Sequence, residues 1–233
     1  MDALSWNLFA TAVGLAVTHT LLGPDHTLPF VMLARARRWT RARTLAVTAL
    51  CGVGHVGSSL LLGGVGLAIG LGVAHVSGAE ELRGGVAAWA LVAFGVAYGA
   101  WGVRQAVRRH EGLEPHEHHG HVHLHRHGDH GHEHAAASGS RTTFWALFIV
   151  FVLGPCEPLI PLFVLPASRG RWDLALLTGA VFSLVTVATM IAAVAAMLAG
   201  VERLPLARLE RWSHALAGAV IAASGLAVIF LGL

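Results

Sequence analysis

Leu22-Gly23-Pro24-Asp25-His26-Thr27-Leu28-Pro29-Phe30-Val31-Met32-Leu33 and Leu153-Gly154-Pro155-Cys156-Glu157-Pro158-Leu159-Ile160-Pro161-Leu162-Phe163-Val164-Leu165 are one phrase written twice, with one residue inserted in the second copy. In each copy a Gly-Pro pair interrupts an apolar run. Proline removes a helical hydrogen bond and crowds the preceding turn, while glycine relaxes the chain, so a broken helix is predicted at Gly23-Pro24 and another at Gly154-Pro155. The match extends outward: Arg38-Trp39 falls opposite Arg171-Trp172, and the run from Gly95 to Gly102 falls opposite that from Gly225 to Gly232.

The surrounding chain is built for a bilayer. Its 233 residues are 55% hydrophobic and 12% charged, about half the charged share of a soluble domain. Apolar stretches run at Leu4–Leu22, Leu45–Val73, Val86–Val107, Phe144–Leu165, Leu174–Leu198 and Ala215–Leu233, each near the ~20 residues that a ~30 Å hydrocarbon core demands. The expectation is an all-α integral membrane protein of six transmembrane helices, arranged as two three-helix repeats. An odd number of spans per half inverts the second half, the plan of many secondary transporters, with the substrate site between broken helices near the midplane.

Three units follow: a first repeat over 1–107, a flexible loop over 108–141 and a second repeat over 142–233. The sixteen basic residues are all arginines and flank apolar runs, so topology accounts for the basic balance and nucleic-acid binding is not expected. Short cytoplasmic loops collect positive charge. An outside N-terminus puts thirteen arginines inside, and leaves Arg83, Arg169 and Arg171 outside. The N-terminal run has no basic n-region and no small-residue cleavage site, and reads as a retained helix of a bacterial or archaeal cytoplasmic (inner) membrane protein. Trp6, Trp39, Trp145, Trp172 and Trp212 lie near span ends and read as interfacial anchors.

The loop between the halves carries His116, His118, His119, His121, His123, His125, His127, His130, His132 and His134 among Gly, Glu and Asp. Such a segment cannot build a core. Its imidazoles suit zinc, nickel, copper or cobalt, so it is expected to be an accessory metal-binding tract on the cytoplasmic side.

Inside the membrane the informative residues are His19, Asp25, His26, His55, Cys156 and Glu157, with Cys51 nearby. An intramembrane ionisable group is costly and marks function by default. Counted at ~1.5 Å per helical residue from the nearest arginines, Asp25, His55 and Cys156 each lie ~15–20 Å from a membrane face, near the centre of the core. Asp25 and Glu157 would neutralise a divalent cation, or Asp25 would fix a histidine tautomer. His19, His26 and His55 supply borderline nitrogen ligands that favour late first-row metals over magnesium or calcium, and Cys156 a soft one. Metal binding at titrating ligands releases protons, which makes proton exchange the expected driving force. No phosphate-binding loop of the Walker type occurs, so the reading is a transporter and not an enzyme, with the ion as substrate and no organic cofactor.

The His19-x5-Asp25-His26 element, Gly54-His55 and Gly154-Pro155-Cys156-Glu157-Pro158-Leu159 resemble the nickel/cobalt transporter families of the LysE-like superfamily, including the six-span efflux branch with a histidine-rich loop and the urease-accessory-type membrane proteins. The resemblance implies that His19, Asp25, His26 and His55 select the metal, and that the cargo is nickel or cobalt, with zinc as the other candidate. Efflux is favoured over uptake. The nickel-permease pattern has four residues before the Asp-His pair where this chain has five, a departure that bears on nickel selectivity. Gly154-Pro155-Cys156 is also similar to the Pro-Cys segments of membrane thiol-disulfide reductant carriers, which gives the alternative, a redox relay through Cys156 and Cys51. Two further classes are another solute, including a sulfur-containing anion, and a metal sensor that transports nothing.

Overall fold

A computed structural model describes residues 3–111, 116–118, 121–123, 134–201 and 207–232. The described chain is helical apart from a three-residue antiparallel pairing, His116–His118 with His121–His123, inside the histidine-rich segment. His119, His125, His127, His130 and His132 lie outside the described residues.

Both Gly-Pro sites interrupt helices. The first helix, α1 (Ala3–Leu22), stops at Gly23; a 3-10 turn, Pro24–His26, follows, and α2 (Leu28–Ala36) resumes with Pro29 in its first turn. Then comes α3 (Arg41–Ala68), started by Thr40, whose hydroxyl accepts from the Arg43 amide, and α4 (Val73–Glu111). The second half opens with α5 (His134–Leu153), breaks over residues 154–158, and continues as α6 (Leu159–Ser168), α7 (Trp172–Val201) and α8 (Ser213–Leu231).

Lengths repeat: α1, α2 and α3 have 20, 9 and 28 residues, and α5, α6 and α7 have 20, 10 and 30. So do the turns. After α2 the Trp39 amide donates to Ala34 O across Arg38 at φ 52°, and after α6 the Arg171 amide donates to Pro166 O across Gly170 at φ 76°. Both are left-handed helix stops of the Schellman type. They align Arg38 with Gly170 and Trp39 with Arg171, one residue away from the register that matching the Arg-Trp pairs suggests.

Among the described residues four helical stretches are long and apolar enough to cross a bilayer: Arg41–Ala68, Val73–Arg108, Trp172–Val201 and Glu210–Leu231. The other two apolar stretches, Leu4–Leu22 and Phe144–Leu165, fall on α1 and on the divided pair α5/α6. Between 28% and 39% of each long apolar window is buried within the chain, so most of it faces outward. Large side chains such as Leu61, Leu82, Leu184 and Phe230 stand exposed there. A soluble monomer does not carry apolar surface on that scale; a bilayer covers it. Inside, Thr20, Thr48, Thr178 and Ser224 return their hydroxyls to carbonyls four residues back, which satisfies them without water.

One boundary moves. Residues 74–85, polar enough to read as an outer loop, belong to α4, and Arg83 is a partly buried helix residue paired with Glu80.

Helices α4 and α8 cross antiparallel at backbone contact. A Cβ on Gly218 would lie 2.2 Å from the Gly99 nitrogen, and one on Gly95 would lie 2.4 Å from the Ala222 nitrogen. Small residues permit such approach in a membrane. Gly218→Ala is expected to destabilise the detergent-solubilised protein by about 1–3 kcal/mol, the cost of overpacking a filled contact. Gly57→Ala, whose Cβ meets nothing within 4 Å, serves as the control, and thermal unfolding of both variants followed by tryptophan fluorescence makes the comparison.

Candidate metal centre

Three elements bring three histidines together. His19 lies in the last turn of α1, His26 ends the 3-10 turn and His55 sits midway along α3. His26 and His55 are buried and His19 is half-buried. One ring nitrogen from each falls within 4.8 Å of the other two. The His26 ring stands edge-on to both others, 4.7 Å from His19 and 5.0 Å from His55 between centroids, while His19 and His55 lie nearly parallel at 6.2 Å.

The proton positions follow from the partners. His26 Nδ1–H donates to Asp25 Oδ1 at 2.9 Å, and His55 Nδ1–H donates to the Phe151 carbonyl at 3.3 Å. A carboxylate and a carbonyl only accept, so both Nδ1 atoms carry hydrogen and neutral rings expose a lone pair at Nε2. Those two Nε2 atoms face each other at 3.4 Å. Opposed lone pairs repel unless a proton or a metal cation lies between them. Two nitrogens bound at about 2.05 Å to one tetrahedral ion sit about 3.3 Å apart, against about 2.9 Å for neighbouring positions of a square plane. The spacing fits the tetrahedral edge.

Cys156 is fully buried, with Sγ 4.0 Å from His19 Nε2. A sulfur and a nitrogen on one tetrahedral zinc stand about 3.6 Å apart, so the sulfur stands near ligand range of His19 but outside the three-histidine group, and joining an ion held there requires it to move toward His26 and His55 as well. Asp25 reaches the centre through His26, as its partner. Glu157 is exposed and lines the cavity outside the cluster. Gly23 is sterically required: a Cβ there would lie 2.4 Å from His26 Nδ1 and 2.8 Å from Asp25 Oδ1.

A cavity of about 610 Å³ reaches the centre from the end of the bundle where α4 begins and α8 finishes, lined by His19, Asp25, His26, Glu81, Trp89 and Glu157 among others. Beside His26 and His55, bounded by Phe151, is a void of about 20 Å³, room for one water-sized particle. Toward the opposite end Phe30 packs on Phe151, centroids 4.7 Å apart. Nearer that end, the Arg37 guanidinium donates to Tyr98 Oη at 3.0 Å and Thr143 Oγ1 at 2.8 Å, and Tyr98 Oη lies 2.8 Å from His214 Nδ1. This arginine-aromatic cluster joins α2, α4, α5 and α8, and no part of it is marked by a sequence motif.

Both cysteines are free thiols in different core clusters, Cys51 with Met190 and Val47, Cys156 with Val56, Leu159 and Phe182.

Compared with family models, curated proteins and solved structures, the chain matches none. Fold and site define the class directly: a helical protein with, among the described residues, four helices long and apolar enough to cross a membrane, enclosing a cluster of three histidines of which two are buried and one is half-buried.

Proposed function

We propose that the chain is a secondary transporter of a divalent transition-metal ion, nickel, cobalt or zinc, driven by proton exchange. The observation that carries the reading is the 3.4 Å approach of His26 Nε2 to His55 Nε2 with both Nδ1 atoms already committed to acceptors. That geometry is poised for a cation. The half-buried His19 faces the cavity, which supplies one approach to the centre.

The architecture that goes with this reading is six spans in two inverted repeats. It is supported by the matched lengths of α1–α3 and α5–α7 and by the paired left-handed stops. Arginine placement supports an outside N-terminus, which puts the histidine-rich segment in the cytoplasm and the 610 Å³ cavity toward the outside. A cytoplasmic tract that gathers excess ion favours efflux. The thiol relay has less behind it, because Cys51 and Cys156 are packed in separate clusters.

The test is flux of radiolabelled nickel, cobalt and zinc in proteoliposomes under an imposed pH gradient, with a Cys51→Ser/Cys156→Ser variant in parallel. Saturable flux that the double variant retains, with altered metal preference, is expected. Absence of flux for every ion, together with cysteines that cycle between disulfide and thiol, would replace this reading with the relay. Deleting residues 114–134 is expected to change the half-saturating concentration and leave transport intact; complete loss in a folded deletion variant would contradict an accessory role for the tract.

A further inference from the structure

We propose that the buried Glu80–Arg83 pair of α4 positions the second helix break, and thereby holds the Cys156 sulfur beside His19. The last step rests on the transition-metal reading; the clamp itself does not.

Glu80 is fully buried. A carboxylate so placed is costly unless it is paired and its remaining lone pairs are used. Arg83 Nη2 lies 2.9 and 2.7 Å from its two oxygens, and also donates to Ser59 Oγ at 2.6 Å and to the Gly154 carbonyl at 3.2 Å. Glu80 Oε2 in turn accepts from the Cys156 amide at 3.4 Å. The pair thus answers one carbonyl and one amide at the break, those of Gly154 and Cys156. Its cation sits at the C-terminal, negative end of α5, and its anion at the amide that precedes α6, where positive charge accumulates. Packing reinforces the electrostatics, for a Cβ on Gly84 would lie 2.6 Å from Pro155 Cγ.

The two breaks differ in where their carboxylate goes. In the first break Asp25 turns in to hold His26. Its repeat equivalent is Cys156, the second break's own carboxylate, Glu157, is exposed to the cavity, and α4 delivers a buried carboxylate to the Cys156 amide instead.

The experiment uses the purified full chain carrying Cys51→Ser, so that Cys156 is the one thiol. Maleimide labelling of Cys156 is expected to be slow, and to accelerate about tenfold or more in Glu80→Gln and in Arg83→Ala, because a half-removed buried pair loosens the segment it holds. Since every contact comes from Nη2, Arg83→Lys is expected to restore slow labelling. Should the single variants fail to fold, Glu80→Leu/Arg83→Met removes both charges together, a change that cores tolerate, and leaves the break equally unclamped. Labelling at the Cys51→Ser rate in the folded double variant would overturn the proposal.

Cobalt(II) titration reads the second step. The Cys51→Ser chain is expected to show a sulfur-to-cobalt charge-transfer band that adding Cys156→Ser removes. The Glu80→Leu/Arg83→Met variant should bind cobalt without the band. A full band there would overturn the positioning role even if labelling had risen. No cobalt binding by the parent chain would instead overturn the metal reading, and the labelling rates would still decide the clamp.

Discussion

Replacing His55 by alanine is expected to abolish saturable metal flux while the protein still folds and inserts. His55 supplies one of the two nitrogens that face each other at 3.4 Å, and its Nδ1 is spent on the Phe151 carbonyl, so no other atom of the ring can substitute. Orienting partners alone are worth about 10–100-fold in affinity, and loss of a ligand exceeds that. The structural cost is bounded, because the ring lies beside an existing small void and the helix around it keeps its backbone bonds. The measurement is flux of each ion into proteoliposomes at matched protein content, with circular dichroism as the check on folding. Normal flux at normal protein level would remove His55, and with it the centre, from the pathway.

The parts of this arrangement that a reader of the sequence reaches are those that chemistry makes unavoidable. Proline cannot continue a helix, and both Gly-Pro pairs do end one. Depth counting from the arginines brings Asp25, His55 and Cys156 to one level; the structure gathers His26, His55 and His19 there, with Cys156 against His19. What spacing cannot supply is direction. Asp25 and Glu157 are both acidic residues within two positions of a proline, yet one turns in to hold His26 and the other faces the cavity. The Glu80–Arg83 pair is hidden for a different reason. His75, Ser77, Gly78, Glu80, Glu81 and Arg83 make that stretch look like a solvated loop. Only the contacts of Arg83 with Ser59 and Gly154 reveal it as helix facing the core, and a single arginine at i+3 from a glutamate is too common to announce a buried pair.

The second large effect separates a ligand from a residue that aims one. Asp25→Ala is expected to raise the half-saturating metal concentration about 100-fold and leave a measurable maximal flux, whereas His55→Ala leaves no saturable component. The reason is the proton on His26. With Asp25 ionised, Nδ1 holds the hydrogen and Nε2 presents its lone pair to the ion; without the carboxylate the ring turns more freely, the other tautomer competes, and a negative charge that balances a divalent cation in a low-dielectric site is gone. Asp25→Asn separates these contributions. The amide oxygen still accepts from Nδ1–H, so the tautomer is kept and only the charge is lost, and the increase should fall to about tenfold. Concentration dependence of flux in the three proteins decides the matter. If Asn and Ala both eliminate flux as completely as His55→Ala, the carboxylate must bind the ion directly, and the centre in its loaded form would then turn Asp25 away from His26 and toward the metal.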